Sequence, residues 1–446
     1  MSLALTRAQI IGLAPDAAAV GASQKLAHPA QWRSLGRSAG AVWGECQGSA
    51  LYRTQIALAE LAVQCSCPSR KFPCKHALGL LLMAAEGFER IPELPEPEWV
   101  QSWQLARHSA TTGKAMRVRD KAKKPVDAAA QAKRAERRHE NILAGLDQLD
   151  VWLNDLVRQG LARVQGESWA FWDAQARRLV DAQAPGLASR VRALGERVGS
   201  HDNWPERLLD DLGQLALLSH AYRRLDRLAP PLAADVRRLV GITLDQSEVL
   251  AHGATLEDEW HVLCDMIDDG ERVRTQRAWL RGATSGQTAL VLQFTPLGTR
   301  FESALVTGTK LPARLAYWPS AAPQRALIVE RTAPASPLGA APAGSDVESA
   351  LAGYADLLAK CPWLGASLLV LADVVPLPAA GPEPYALVDA SGAALPLRGS
   401  AHDVLLALSG GHPLTLAGEW DGYAFSPRTV WAEDRRVSLW PGGGDE

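Results

Sequence analysis

The sequence predicts an α+β chain in three successive regions: a small strand-and-helix module at the front, a helical middle region and a β-rich C-terminal region. Three observations carry this reading. Three cysteines and a histidine fall within the twelve residues 65–76, with a strand-like pattern before them and an apolar helical pattern after. From about residue 127 apolar residues recur every three or four positions. Beyond about residue 250 the period shortens to two. With 446 residues, 47% of them hydrophobic and 22% charged, the chain has room for two or three cored domains and excludes wholesale disorder.

In the front region, Cys65-Ser66-Cys67-Pro68-Ser69-Arg70-Lys71-Phe72-Pro73-Cys74-Lys75-His76 offers three thiolates and an imidazole. That is the ligand set a tetrahedral zinc ion takes at about 2.0–2.3 Å. On a strand, Cys-x-Cys sends both sulfurs out by one face. Pro68 and Pro73 bound a short loop that returns the chain, and the apolar run 75–85, with Leu78, Leu80, Leu81, Leu82 and Met83, reads as a buried helix. Cys74 and His76 then sit at its first turn, where the partial positive charge of a helix N-terminus favours thiolate. Four protein ligands leave no open position for a reacting water, so the expected site is structural rather than catalytic.

This motif, Cys65-x-Cys67 followed by a short spacer and Cys74-x-His76 opening a helix, resembles the SWIM-type zinc finger of bacterial proteins. The lead-in 42–49 and the strand 52–58 look like that family's β-hairpin entry. The resemblance implies a small ββα zinc module over 1–90 including its lead-in, one structural Zn(2+) ion held by Cys65, Cys67, Cys74 and His76, and a role in binding protein or DNA. It also implies an AAA-type ATPase or a von Willebrand A-type protein as a partner.

The run Ile91-Pro92-Glu93-Leu94-Pro95-Glu96-Pro97-Glu98 has alternating prolines that oppose helix and favour extended chain, so a linker, acidic and then basic, is expected over 91–126. A helical bundle is expected over 127–250. Its stripes are Ile142, Leu146, Leu149, Leu153 and Leu156; Trp169, Trp172, Ala176 and Leu179; Leu187, Val191, Leu194 and Val198; and Leu208, Leu212, Leu215, Tyr222 and Leu225. The rest, 251–446, reads as mixed and β-rich, dividing into two subdomains near 333–346. A hairpin turns at Asp268-Asp269-Gly270, strands follow at 289–294, 313–318 and 325–330, and one helix covers 347–360.

The net charge of -2 excludes a polyelectrolyte role for the whole chain. Charge is nonetheless uneven, with a basic front and an acidic back. Arg70, Lys71 and Lys75, with Phe72 in the same loop, could grip phosphates and stack on bases, or could merely offset a three-thiolate centre. The basic segment 114–138 lacks aromatics and reads as a solvated linker entering a helix. No apolar run reaches the ~18–20 residues that span a bilayer, and residues 1–7 lack the pattern of an export signal. The expected compartment is the cytoplasm, without membrane contact, where clustered cysteines suggest metal rather than disulfides. Cys46, Cys264 and Cys361 have no partners at ligand spacing and read as buried thiols.

Two stretches admit a catalytic reading. Gly36-Arg37-Ser38-Ala39-Gly40 matches a nucleophile elbow, but the strand before it is poor and no helix start follows. Glu257, Asp258, Glu259, His261, Asp268 and Asp269, with His252 nearby, could bind a divalent ion or move protons, yet nothing in their spacing sets a geometry. The sequence therefore points to a non-enzymatic zinc-binding protein that recognises a macromolecule. A protein partner is preferred, DNA or another nucleic acid is the alternative, and an enzyme with an unrecognised acidic/His site comes third.

Overall fold

The computed structural model describes residues 5–14, 17–48, 50–58, 61–69, 73–105, 128–200, 203–270, 272–297, 301, 305–378, 385–432 and 435–439. At the front, α1 (Arg7–Gly12) and α2 (Ala17–Gln24) precede four strands, β1 (Trp32–Arg37), β2 (Ala41–Gln47), β3 (Leu51–Ala57) and β4 (Ala62–Cys65), and then α3 (Lys75–Gly87). The strands form an antiparallel sheet in the order β1-β2-β3-β4. Because side chains alternate across a strand, Val42, Cys46, Ile56 and Val63 share one face, and they join α3 in a single apolar cluster. Every residue of α3 from His76 to Ala84 is buried. Gly79 lets α2 and α3 approach, since a Cβ there would meet Leu26 Cβ at 2.7 Å.

The acidic proline run behaves differently from a free linker. Arg37 N donates to Pro92 O at 2.9 Å and Leu94 N to Arg37 O at 3.1 Å, so this stretch lies along β1 as an added extended segment. Helical residues 98–105 follow. Val100 and Trp99 pack on Ala41 and Trp43, covering the sheet face that α3 leaves open. The prolines did keep the chain extended; the free backbone groups of the β1 edge gave it a partner.

The middle region comprises α4 (Ala128–Gln159), α5 (Trp169–Asp181), α6 (Pro185–Arg197), α7 (Trp204–Tyr222) and α8 (Pro230–Val240). The expected stripes face one core. Trp169 is the exception: at the start of α5 it is 51% exposed, and Trp172 one turn later fills the core instead. Gly186 permits close contact with the end of α8, where a Cβ would fall 2.2 Å from Leu239 O.

After α9 (Gln246–His252) come β5 (Ala254–Asp269), β6 (Val273–Gly282), β7 (Thr288–Pro296), β8 (Thr309–Tyr317), β9 (Arg325–Arg331) and the short β10 (Ser336–Pro337). β5, β6 and β7 form an antiparallel meander, β9 pairs parallel with β7 and antiparallel with β8, and β8 returns to β5. The ring is closed, with the strand order of an OB-type Greek-key barrel. A bulge between Val262 and Cys264 shifts the phase of β5. Trp260 and Val262 thus join the cluster inside the barrel, whereas Cys264 and Met266 join another outside it. The simple alternation expected along this strand breaks there. The barrel-interior cluster is continuous with that of the front module.

The last region has α10 (Val347–Lys360), β11 (Ser367–Leu377), β12 (Ala386–Val388), β13 (Ala394–Pro396), α11 (His402–Ser409), β14 (Leu414–Trp420), β15 (Phe425–Ala432) and β16 (Arg435–Ser438). Its sheet runs β13-β12-β11-β14-β15-β16. One face packs with α10 and α11; Leu368, Val370, Ala417 and Trp431 on the other meet Trp279 of the barrel. Glu419 receives Arg277 Nη2 at 2.6 Å and Trp279 Nε1 at 2.9 Å across that junction. Among the described residues no helix is long and apolar enough to cross a membrane.

Candidate metal centre

The strand β4 ends on Cys65, Cys67 follows it, and Cys74 caps α3 with backbone angles φ -71 and ψ 164. His76 lies in the first turn of that helix. The four ligand atoms all lie within 4.8 Å of one another, and this is the single such His/Cys/Asp/Glu group among the described residues. Cys65 Sγ and His76 Nδ1 are 3.8 Å apart. With bonds of about 2.3 Å to sulfur and 2.0–2.1 Å to nitrogen, the ligand atoms of a tetrahedral zinc sit roughly 3.6–3.8 Å from each other. The donor set and its spacing therefore fit zinc.

Electrostatics point the same way. A hydrogen bond from the Cys74 thiol, with help from His76 and Thr54, holds the Cys65 thiol well below the usual range against the opposing effect of burial. The same bond to Cys65, and then burial, pushes Cys74 far up. Burial likewise raises Cys67. The shared hydrogen bond favours one thiolate at Cys65, while burial opposes charge on Cys74 and Cys67, and the repulsion of a neighbouring thiolate adds a smaller push in the same direction. A divalent cation removes that conflict by replacing the protons.

Neighbours not singled out from sequence support the ligands. Thr54 Oγ1 donates to Cys65 Sγ at 3.2 Å, and Ala77 N reaches Cys74 Sγ at 3.5 Å. The Tyr52 and His76 ring centres are 5.1 Å apart. Tyr52 and Thr54 lie two residues apart on β3, and Thr54 is directly opposite Cys65. Their period-two placement was the available signal, but it acquires meaning only once β3 and β4 are known to pair.

Residues 137–240 match the SWIM-associated four-helix bundle domain, and residues 52–85, which contain all four ligand atoms' residues, match the SWIM zinc finger. The chain carries a SWIM zinc finger. No curated protein and no solved structure matches the chain. Of the residues expected to make contacts around the SWIM finger, Lys75 is exposed at the start of α3. Arg70, Lys71 and Phe72 lie outside the described residues, as does the basic segment before residue 128.

The two catalytic alternatives do not assemble. Ser38 sits in the β1–β2 turn, where its Oγ donates to Glu96 and accepts from Ala41 N at 3.0 Å. Asp258 accepts from the backbone of Glu259, Thr284 and Ser285 and so ties a turn. Asp269 pairs with Arg274 at 2.8 Å, while Glu259 lies 3.5 Å from both His261 and Lys310. These are turn and cross-strand bonds, and among the described residues the Cys65 group alone gathers three or more such ligand atoms. Cys46, Cys264 and Cys361 are buried, unpaired thiols, and burial raises all three.

Proposed function

We propose that the protein is a cytoplasmic, non-enzymatic adaptor in which one structural zinc ion shapes the SWIM finger and the finger recognises another protein. A four-ligand set leaves zinc no position for a reacting water, which supports the structural role. The observation that favours protein over nucleic acid concerns Arg53, the cation beside the ligands on β3. Its Nε donates to Glu45 Oε1 at 3.0 Å, and its guanidinium lies 5.7 Å from the Trp99 ring centre. A guanidinium whose Nε is held by a carboxylate has part of its charge already offset and one donor committed, so it offers a phosphate less than a free one would. The barrel speaks on the same side: in OB-type barrels the middle strands and their loops take nucleic acid, and here Trp279 of β6 is buried under the last sheet.

By family resemblance, an AAA-type ATPase and a von Willebrand A-type protein are the first partners to try. The test is affinity capture from native cytoplasm with the wild-type chain and with Cys74→Ser, followed by rebinding of the purified partner. Zinc-dependent, direct rebinding is expected.

Nucleic-acid binding is the second reading, favoured by the exposed Lys133, Arg134 and Arg137 on the first turns of α4. It predicts duplex binding in a mobility-shift titration with steep salt dependence. Replacing Arg70, Lys71 and Lys75 together with Ala should then lower the log–log salt slope by about two to three phosphate contacts. Such a result, with no protein partner recovered, overturns the adaptor reading.

A further inference from the structure

A cleft of about 430 Å³ separates the end of α8 and the segment 242–246 from the β8–β9 end of the barrel. Arg237, Arg238 and Arg325 line it together with Ile242, Leu244 and Trp318. Its size and mostly apolar wall with a few charged side chains along it are those of small-molecule sites. The charges are not balanced. Arg238 donates to Asp235 Oδ1 at 3.1 Å, and the other oxygen of that carboxylate takes Ser320 Oγ at 3.0 Å and Ala321 N at 2.8 Å. Asp235 thus accounts for Arg238 alone.

Arg237 and Arg325 form no ion pair among the described residues. Asp245, also on the lining, pairs with neither. Last-turn arginines do favour a helix C-terminus, which explains Arg237 in part. That account does not reach Arg325, which comes from the barrel and lies 4.4 Å from the Trp318 ring centre. Burial and the neighbouring Arg238 hold Arg325 below its ordinary range, as expected where positive charge is uncompensated. Trp318 is 8% exposed, and its Nε1 has no hydrogen-bond partner among the described residues. Arg138 adds a further cation close by, donating to Gly241 O at 3.0 Å.

We propose that this cleft binds a small phosphomonoester, its phosphate held between Arg237 and Arg325 and its apolar or planar body set against Ile242, Leu244 and Trp318. Two unpaired guanidinium forks match the charge of one phosphate near neutral pH and can each bond it with two parallel N–H donors. The site lies between the SWIM-associated bundle and the barrel, so occupancy would tie the two together. It is independent of the zinc finger.

The probes are adenosine monophosphate, inorganic phosphate and adenosine, titrated calorimetrically into the zinc-loaded full chain. Binding is expected in the order monophosphate, phosphate, adenosine. Arg237→Gln and Arg325→Gln should each weaken the monophosphate roughly tenfold or more while the zinc content stays unchanged. Should Arg325→Gln unfold, Arg325→Lys replaces it, with the same weakening expected from loss of the planar fork. The proposal is overturned if neither phosphate-bearing probe binds at about millimolar concentration, if adenosine binds as tightly as its monophosphate, or if the Arg237→Gln variant keeps wild-type affinity.

Discussion

Around Cys65 the front module brings three thiols and an imidazole within 4.8 Å of one another, whereas around Trp172 the bundle packs aromatic edges. The Trp152 and Phe171 rings meet Trp172 at 5.8 and 5.2 Å, nearly perpendicular to it. Both places are buried, but they respond to different conditions. The bundle core is satisfied by contact alone, since apolar side chains need only be out of water. The module core contains buried thiols and an imidazole whose desolvation a bound cation offsets, so its folding is linked to metal supply and that of the bundle is not.

The comparison breaks most sharply when a ligand is removed. Metal binding supplies about 10–16 kcal/mol to isolated finger peptides, so Cys74→Ser should cost far more than any single apolar truncation. Elemental analysis should find zinc lost, and limited proteolysis should open the first 90 or so residues while a fragment carrying α4 to α8 survives. The front and barrel cores are continuous, so fraying is also expected at the barrel end that meets the module. Digestion of the bundle at the same rate would show that the two regions are not independent.

Next in size is the reverse experiment. Trp172→Ala should destabilise the bundle by about 3–5 kcal/mol, the usual cost of emptying an aromatic core site. Denaturant titration reads the loss, while zinc content should match wild type. A drop in zinc content would refute the separation.

The smallest effect sharpens the view of the metal site itself. Thr54→Val keeps the shape of the side chain and removes the donor to Cys65 Sγ. Zinc affinity measured by chelator competition should fall about 10–100-fold, as for other residues that support a ligand, with the fold retained. An unchanged affinity would reduce Thr54 to a packing residue.

Local chemistry was legible in the sequence, and long-range pairing was not. The spacing of Cys65, Cys67, Cys74 and His76 announced a convergent cluster because the strand, the loop and the helix start are neighbours along the chain. The stripes led by Ile142 and Leu187 announced the bundle because helical periodicity is local, and the helix Val347–Lys360 begins after the capping Asp346, whose side chain accepts from Ser349 N. Trp169 misled because a stripe read from sequence does not say where the first turn leaves the core. The parallel β7–β9 pair that closes the barrel left no mark in either strand, since its register joins Leu290 with Arg325 across intervening β8. The docking of residues 91–105 escaped notice for the same reason: an open strand edge cannot be seen until the sheet exists.

The bulge in β5 makes one strand a shared wall between two rooms. A single deleted residue near Leu263 would rotate everything downstream by half a pleat. Trp260 and Val262 would keep their places, but Cys264 and Met266 would turn away from Leu368 and Trp431, and Asp265, whose carboxylate accepts from Thr307 N, Thr307 Oγ1 and Gln276 Nε2, would lose those donors. The barrel and the last sheet thus cannot be swapped for unrelated counterparts one at a time. A chimera that exchanges the last sheet should therefore carry β5 and β6 along with it. Because the barrel interior is continuous with the front module and Trp363 packs into the bundle core, no cut before β5 frees the β-rich half cleanly.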